Sequence, residues 1–120
     1  MNVIDKARHA YAPSRTMLRT GRAIEAELLS EVTGRLRRYG QDFPKAAAAV
    51  NDNRRIWSVL AADVGADGNE LPQALRAQLF YLAEFTHFHS DRFLRNEAGL
   101  EALIDINTAV IRGLNAQGAS

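Results

Sequence analysis

Apolar residues along this chain recur at helical spacing. Between Ser14 and Tyr39, the residues Met17, Leu18, Ile24, Leu28, Leu29, Val32 and Leu36 fall in one broad arc when each successive position is turned by about 100°. A second stripe holds Ala46, Ala49, Val50, Asn53, Ile56, Trp57 and Leu60. A later one holds Leu100, Leu103, Ile104, Asn107, Val110, Ile111 and Leu114. Both follow the offsets 0, 3, 4, 7, 10, 11 and 14, and each has an asparagine at its centre. Between them, from Leu71 to about Leu94, a further stripe runs through Leu75, Leu79, Leu82 and Phe93, with Ala83 and Thr86 beside it. No run alternates with the period of two that a half-buried strand requires. The pattern predicts an all-α protein.

Breakers fall where such helices would have to end. Pro13-Ser14 separates a short opening segment, read as a short N-terminal helix, from the first long run. Gly40-Gln41-Asp42-Phe43-Pro44 ends that run, and Pro44 suits the first turn of the next helix, where a missing N–H leaves no bond unmade. Gly65-Ala66-Asp67-Gly68-Asn69 reads as a loop, with Pro72 just inside the third long helix. Asn96-Glu97-Ala98-Gly99 precedes the fourth, and residues 115–120 are small and polar enough to fray. At 120 residues the chain makes one domain, 1–120, a compact bundle of about four main helices plus the short N-terminal one.

Three departures from plain amphipathicity bear on function. Asn53 and Asn107 are amides inside apolar stripes. Each either fixes helix register with satisfied hydrogen bonds or lines a groove and contacts a partner. Glu25 lies within the apolar arc of the first helix and calls for a cation, with Arg22 or Arg54 in reach. The third helix carries a second apolar group, Tyr81, Phe85 and Phe88, at i, i+4 and i+7, roughly 130° around from its core stripe. A helix apolar on two sides is either central in its bundle or offers a face to another chain.

Charge and composition narrow the chemistry. Residues 1–60 hold eleven Lys/Arg against six Asp/Glu, a net +5; residues 61–120 hold four against eight, a net −4. Such a split points either to an anionic partner near the first half or to pairing between halves. Arg15, Arg19, Arg22 and Arg37 gather on one face of the first helix, as a solvated stripe or as an anion- or RNA-facing one. No aromatic residue interleaves them to stack bases, so direct nucleic-acid binding is not expected. The chain has no cysteine and three histidines; His87 and His89, at i and i+2, diverge on a helix, so no metal or other cofactor is expected. The acidic stretch from Asp63 to Glu70 lacks the ligand spacing of a calcium loop, and no phosphate-cradling glycine motif or hydrolytic triad spacing occurs. The expectation is a binding protein without catalysis. The N-terminus has no apolar signal region and no segment has the length to span a bilayer, which points to a cytoplasmic protein.

The run Arg54-Arg55-Ile56-Trp57-Ser58-Val59-Leu60, a short loop, and then Asn69-Glu70-Leu71-Pro72-Gln73-Ala74-Leu75-Arg76-Ala77-Gln78-Leu79 resembles the central signature of the FlaF family. Ala10-Tyr11, Arg22-Ala23-Ile24-Glu25 and Ile106 through Leu114 resemble its flanking parts, so the likeness spans nearly the whole chain. The family pattern falls here on Arg54, Arg55, Trp57, Leu71, Pro72, Arg76 and Asn107. The resemblance implies a role in flagellar filament assembly: promoting flagellin synthesis and secretion as a flagellin chaperone, alongside a FlbT-like regulator. It brings no catalytic residues. Flagellin and a FlbT-like protein are thus the implied partners, with Tyr81, Phe85 and Phe88 as apolar anchors and Arg55 and Asn107 as polar contacts. The alternative is a post-transcriptional regulator acting through FlbT or directly on flagellin mRNA by way of Arg15, Arg19, Arg22 and Arg37.

Overall fold

A computed structural model describes the backbone of residues 15–119 and the side chains of residues 25–115. The short N-terminal helix expected from the sequence lies outside the described residues. Four helices follow one another: α1 (Arg15–Arg38), α2 (Phe43–Gly65), α3 (Gln73–Leu94) and α4 (Glu101–Ala119). No strand occurs among the described residues. Short connections turn each helix back on the last, giving an up-down-up-down bundle.

Local chemistry places the helix ends. Asp42 takes an extended backbone at the start of α2, and its carboxylate accepts from the Lys45 N–H at 3.2 Å. At the far end of α2, the Asn69 side chain spans the turn: its amide donates to the Asp63 carbonyl at 2.9 Å while its oxygen accepts from Leu71 N at 3.0 Å. Gly68 there has φ +83°, a conformation that suits a residue without Cβ. Pro72 falls one residue before α3, where its carbonyl accepts from Arg76 N. α3 ends with Asn96 in the left-handed region (φ 62°), and the Glu97 N–H bonds back to the Arg92 carbonyl at 2.8 Å. That bond is the signature of a Schellman turn, for which asparagine is the common substitute for glycine. The helical backbone of α4 continues past Asn115, where fraying was expected, as far as Ala119.

The core is the sum of the stripes. Leu29, Val32 and Leu36 of α1, Val50 and Trp57 of α2 and Leu103 of α4 are fully buried. All seven positions of the α2 stripe are buried, including Asn53. At the centre stands Asn107, wholly enclosed. Trp57 Nε1 can only donate, and it donates to Asn107 Oδ1 at 2.9 Å. The Asn107 amide must therefore point the other way, and it does: Nδ2 donates to Asn53 Oδ1 at 2.8 Å and to Thr33 Oγ1 at 3.0 Å. Thr33 passes its own proton to the Leu29 carbonyl at 2.6 Å. One side chain on α4 is thus bonded to α1 and twice to α2, with every capacity of its amide nitrogen used.

Asn53 is less well served, because its Nδ2 finds no partner among the described residues. The two central asparagines should therefore respond differently to replacement. Asn107→Leu strands the Trp57 donor and removes the proton given to Asn53, and should lower unfolding free energy by at least about 2 kcal/mol. Asn53→Leu removes one acceptor but also an unpaired donor, and should cost at least about 1 kcal/mol less. Denaturant midpoints of the two variants check this; equal midpoints would refute the hub.

Candidate partner-binding groove

Three of the four seams of the bundle are fastened by polar side chains. Arg35 on α1 meets Asp52 on α2 at 2.8 Å, and Arg54 on α2 meets Asp91 on α3 at 2.9 Å. Arg37 on α1 donates to Thr108 on α4 at 3.1 Å. Arg54, one of the two cations expected to reach Glu25, pairs with Asp91; Glu25 is half-buried, and the side chain of Arg22, the other, lies outside the described residues. The fourth seam, between α3 and α4, differs. These helices touch little, and their clearest polar link, His89 Nε2 to the Gly99 carbonyl at 2.9 Å, lies at the connecting turn.

Away from that turn the two helices leave a groove of about 130 Å³. Leu75, Gln78, Leu79 and Leu82 of α3 form one wall; Ala109, Val110, Gly113 and Leu114 of α4 form the other. The volume is below the roughly 300–1,000 Å³ of small-molecule pockets, and suits inserted side chains better than a cofactor. A Cβ built on Gly113 would meet nothing within 4 Å, so this position opens directly on the groove.

The aromatic stripe continues the α3 wall. Around the α3 axis, Leu82, Gln78, Phe85 and Tyr81 succeed one another at steps of roughly 20–40°. Tyr81 is 65% exposed and Phe88 60%, whereas Phe85 is half-buried with its ring stacked on His89 at 5.6 Å. α3 is therefore not an enclosed central helix; its second apolar face stands uncovered by any described element. Phe80 is exposed as well, which the sequence pattern had not singled out. The α4 wall residues Ala109 and Gly113 were also missed. Their only signal was the absence of bulk at i and i+4 on the flank of the α4 stripe.

The polar candidates separate. Arg55 is exposed, 2.6 Å from Asp52 on its own helix, and remains at the surface. Asn107 is not at the surface; its side-chain bonds go to Trp57, Asn53 and Thr33, inside the core. Arg37 reaches Thr108, while the side chains of Arg15, Arg19 and Arg22 lie outside the described residues.

With groove and aromatic face defined, comparison with known proteins gives one match: the family model described as flagellar protein FlaF, over residues 7–114. The chain belongs to the FlaF family. No curated protein and no solved structure matches it.

For a FlaF protein, a flagellar role follows from membership. Among the described residues no cluster of His, Asp or Glu could hold a metal ion, and no helix is long and apolar enough to cross a membrane. His87 sits between α2 and α3, its Nε2 3.3 Å from Ser58 Oγ, beside Arg54 and Asp91. Partial burial and the Arg54 charge hold its imidazolium less stable than in water, with Asp91 opposing in part, so its pKa lies below the ordinary 6.5.

A pH dependence follows. Because the folded protein disfavours the charged ring, the unfolded chain binds more protons between the lowered folded value and 6.5. The contribution of His87 is present above 6.5 and is lost as pH falls through its folded pKa. Thermal midpoints should thus decline on acidification from neutrality through that window, and His87→Gln should flatten this part of the profile. An unchanged slope in the variant would place the titration elsewhere.

Proposed function

We propose that this FlaF-family chain is a non-enzymatic chaperone that binds an amphipathic helical segment of flagellin in the α3–α4 groove, and so promotes flagellin synthesis and secretion for filament assembly. The observation that carries the reading is the unfastened α3–α4 seam, with an apolar groove running into exposed Tyr81 and Phe88. Helix-in-groove recognition uses such a surface: large apolar side chains at i, i+3 or i+4 and i+7 enter a trough between two helices. Aromatic rims suit it, because they offer wide contact area with few rotatable bonds. Flagellin is the natural occupant for a flagellar family of this kind, since an apolar segment awaiting assembly needs cover. Tyr81, Phe85 and Phe88 would anchor the segment, Ala109 and Gly113 would admit its closest approach, and exposed Arg55 remains a candidate polar contact on the far side of α2.

Calorimetric titration with flagellin at low and high salt tests the proposal. Apolar capture should be nearly insensitive to salt, whereas binding through phosphates would fall steeply. Replacing Tyr81, Phe85 and Phe88 together with serine should weaken binding by at least about a hundredfold while the far-ultraviolet helical signal persists. Gly113→Ala should leave binding intact and raise stability by about 0.5–1 kcal/mol, since alanine suits a helix interior better. Gly113→Leu should retain the fold and lose binding, because its side chain would occupy the groove. Flagellin bound equally well by the aromatic triple variant and by Gly113→Leu would overturn the groove.

A further inference from the structure

A second surface lies at the opposite end of the bundle from the groove, where α1 turns into α2. Arg37, Arg38 and Tyr39 are consecutive at the end of α1, and Lys45 stands in the first turn of α2. Arg38 Cζ lies 5.7 Å from the centroid of the Tyr39 ring and Lys45 Nζ lies 5.2 Å from it. Arg37, Arg38 and Lys45 are all exposed.

Several other cations are paired, though Arg92, which bonds the Glu97 carbonyl, and Arg112 likewise lack a carboxylate partner among the described residues. Arg35 and Arg55 both close on Asp52, Arg54 on Asp91 and Arg95 on Glu97. Arg37, Arg38 and Lys45 have no carboxylate partner among the described residues; Arg37 has a hydroxyl, and the other two share one ring. The excess of basic residues in the first half of the chain is therefore not consumed by internal pairing here. Arg37 and Arg38 favour the α1 C-terminus, where cations oppose the helix dipole. Lys45 stands at the electropositive start of α2, where the acidic side chain is that of the N-cap Asp42, whose carboxylate accepts from the Lys45 backbone N–H. Its ammonium lies over the Tyr39 ring, 5.2 Å from the centroid.

We infer that Arg38, Tyr39 and Lys45, flanked by Arg37, form a docking surface for an acidic protein segment, separate from the apolar groove. Two cations fixed on one ring present a short, preorganised double charge that a pair of carboxylates can satisfy, and the planar guanidinium can take one of them in a two-bond fork. A nucleic acid fits less well. The patch is confined to one turn of the bundle where a phosphate backbone needs a track, and the face of its one aromatic ring is taken by cations, not left open for a base.

Fluorescence anisotropy of the full chain with a labelled oligoglutamate peptide, and separately with an oligouridylate, tests this at low and at physiological salt. The peptide should bind, more weakly as salt rises. Arg38→Gln combined with Lys45→Gln should reduce its affinity at least about tenfold, whereas Arg112→Gln, one charge removed on a distant part of α4, should change it less than about twofold. Both positions of the double variant are exposed, and an unchanged circular dichroism spectrum confirms its fold. Absence of peptide binding, equal binding by the double variant, or tighter binding of the oligouridylate would each overturn the assignment. None of these outcomes depends on whether flagellin occupies the groove.

Discussion

The bond from Trp57 to Asn107 constrains the whole bundle. An indole nitrogen has one proton and no acceptor, so it decides which way the Asn107 amide faces. That choice sends two protons toward Thr33 and Asn53 and so fixes α1, α2 and α4 at one height. Apolar stripes alone would allow neighbouring helices to slide by a turn at little loss, because leucine and valine pack nearly as well one turn on. A buried amide does not tolerate the slide: every partner would be left unpaired in a low-dielectric interior. Register is thus set by a few directional bonds and stability by the apolar mass around them.

What the hub does not reach is as informative. α3 contributes nothing to it. Thr86 and Ser90 face the interior from α3, but Ser90 bonds back to its own helix and the Thr86 hydroxyl has no partner among the described residues. α3 is held instead mainly through α2, where Arg54 pairs with Asp91. An element fastened along one side only is the one whose other side can be offered to a partner. The small side chains of α4 opposite it, Ala109 and Gly113, keep the gap open without exposing much apolar area of their own. Openness here follows from the sequence.

Much of this was legible before any coordinates. Helical period, the Asp42 and Pro44 start and the glycine-rich loop at Gly65–Asn69 are local signals, and local signals place helix ends to within a residue or two. The asparagines at the centre of two stripes were visible as anomalies. Their resolution was not, because whether an amide meets an indole or open space depends on residues 50 and 54 positions away. The partner of Arg54 was hidden for the same reason: Asp91 stands on another helix, and only the packing of α2 on α3 brings it near. The aromatic stripe of α3 had two readings of equal standing, and burial alone separated them. Gly113 gave no warning, since a glycine in an amphipathic helix looks like a flaw until its missing side chain proves to be room.

The distribution of charge carries the argument one step further. A net +5 in one half and −4 in the other could have been an internal adhesive. Exposed ion pairs contribute little to stability, about 0–1 kcal/mol each, so selection for the fold alone gives weak reason to keep such a split. Arg35 and Arg55 sharing Asp52 is redundancy more than adhesion, and the cations around Tyr39 make no ion pair among the described residues. A surface whose charges repel each other, on a protein whose apolar groove is at its other end, is better explained by what approaches it than by what it holds together. On the proposed readings, the two ends of the bundle would answer to two kinds of chemistry, one apolar and indifferent to salt, the other ionic and sensitive to it.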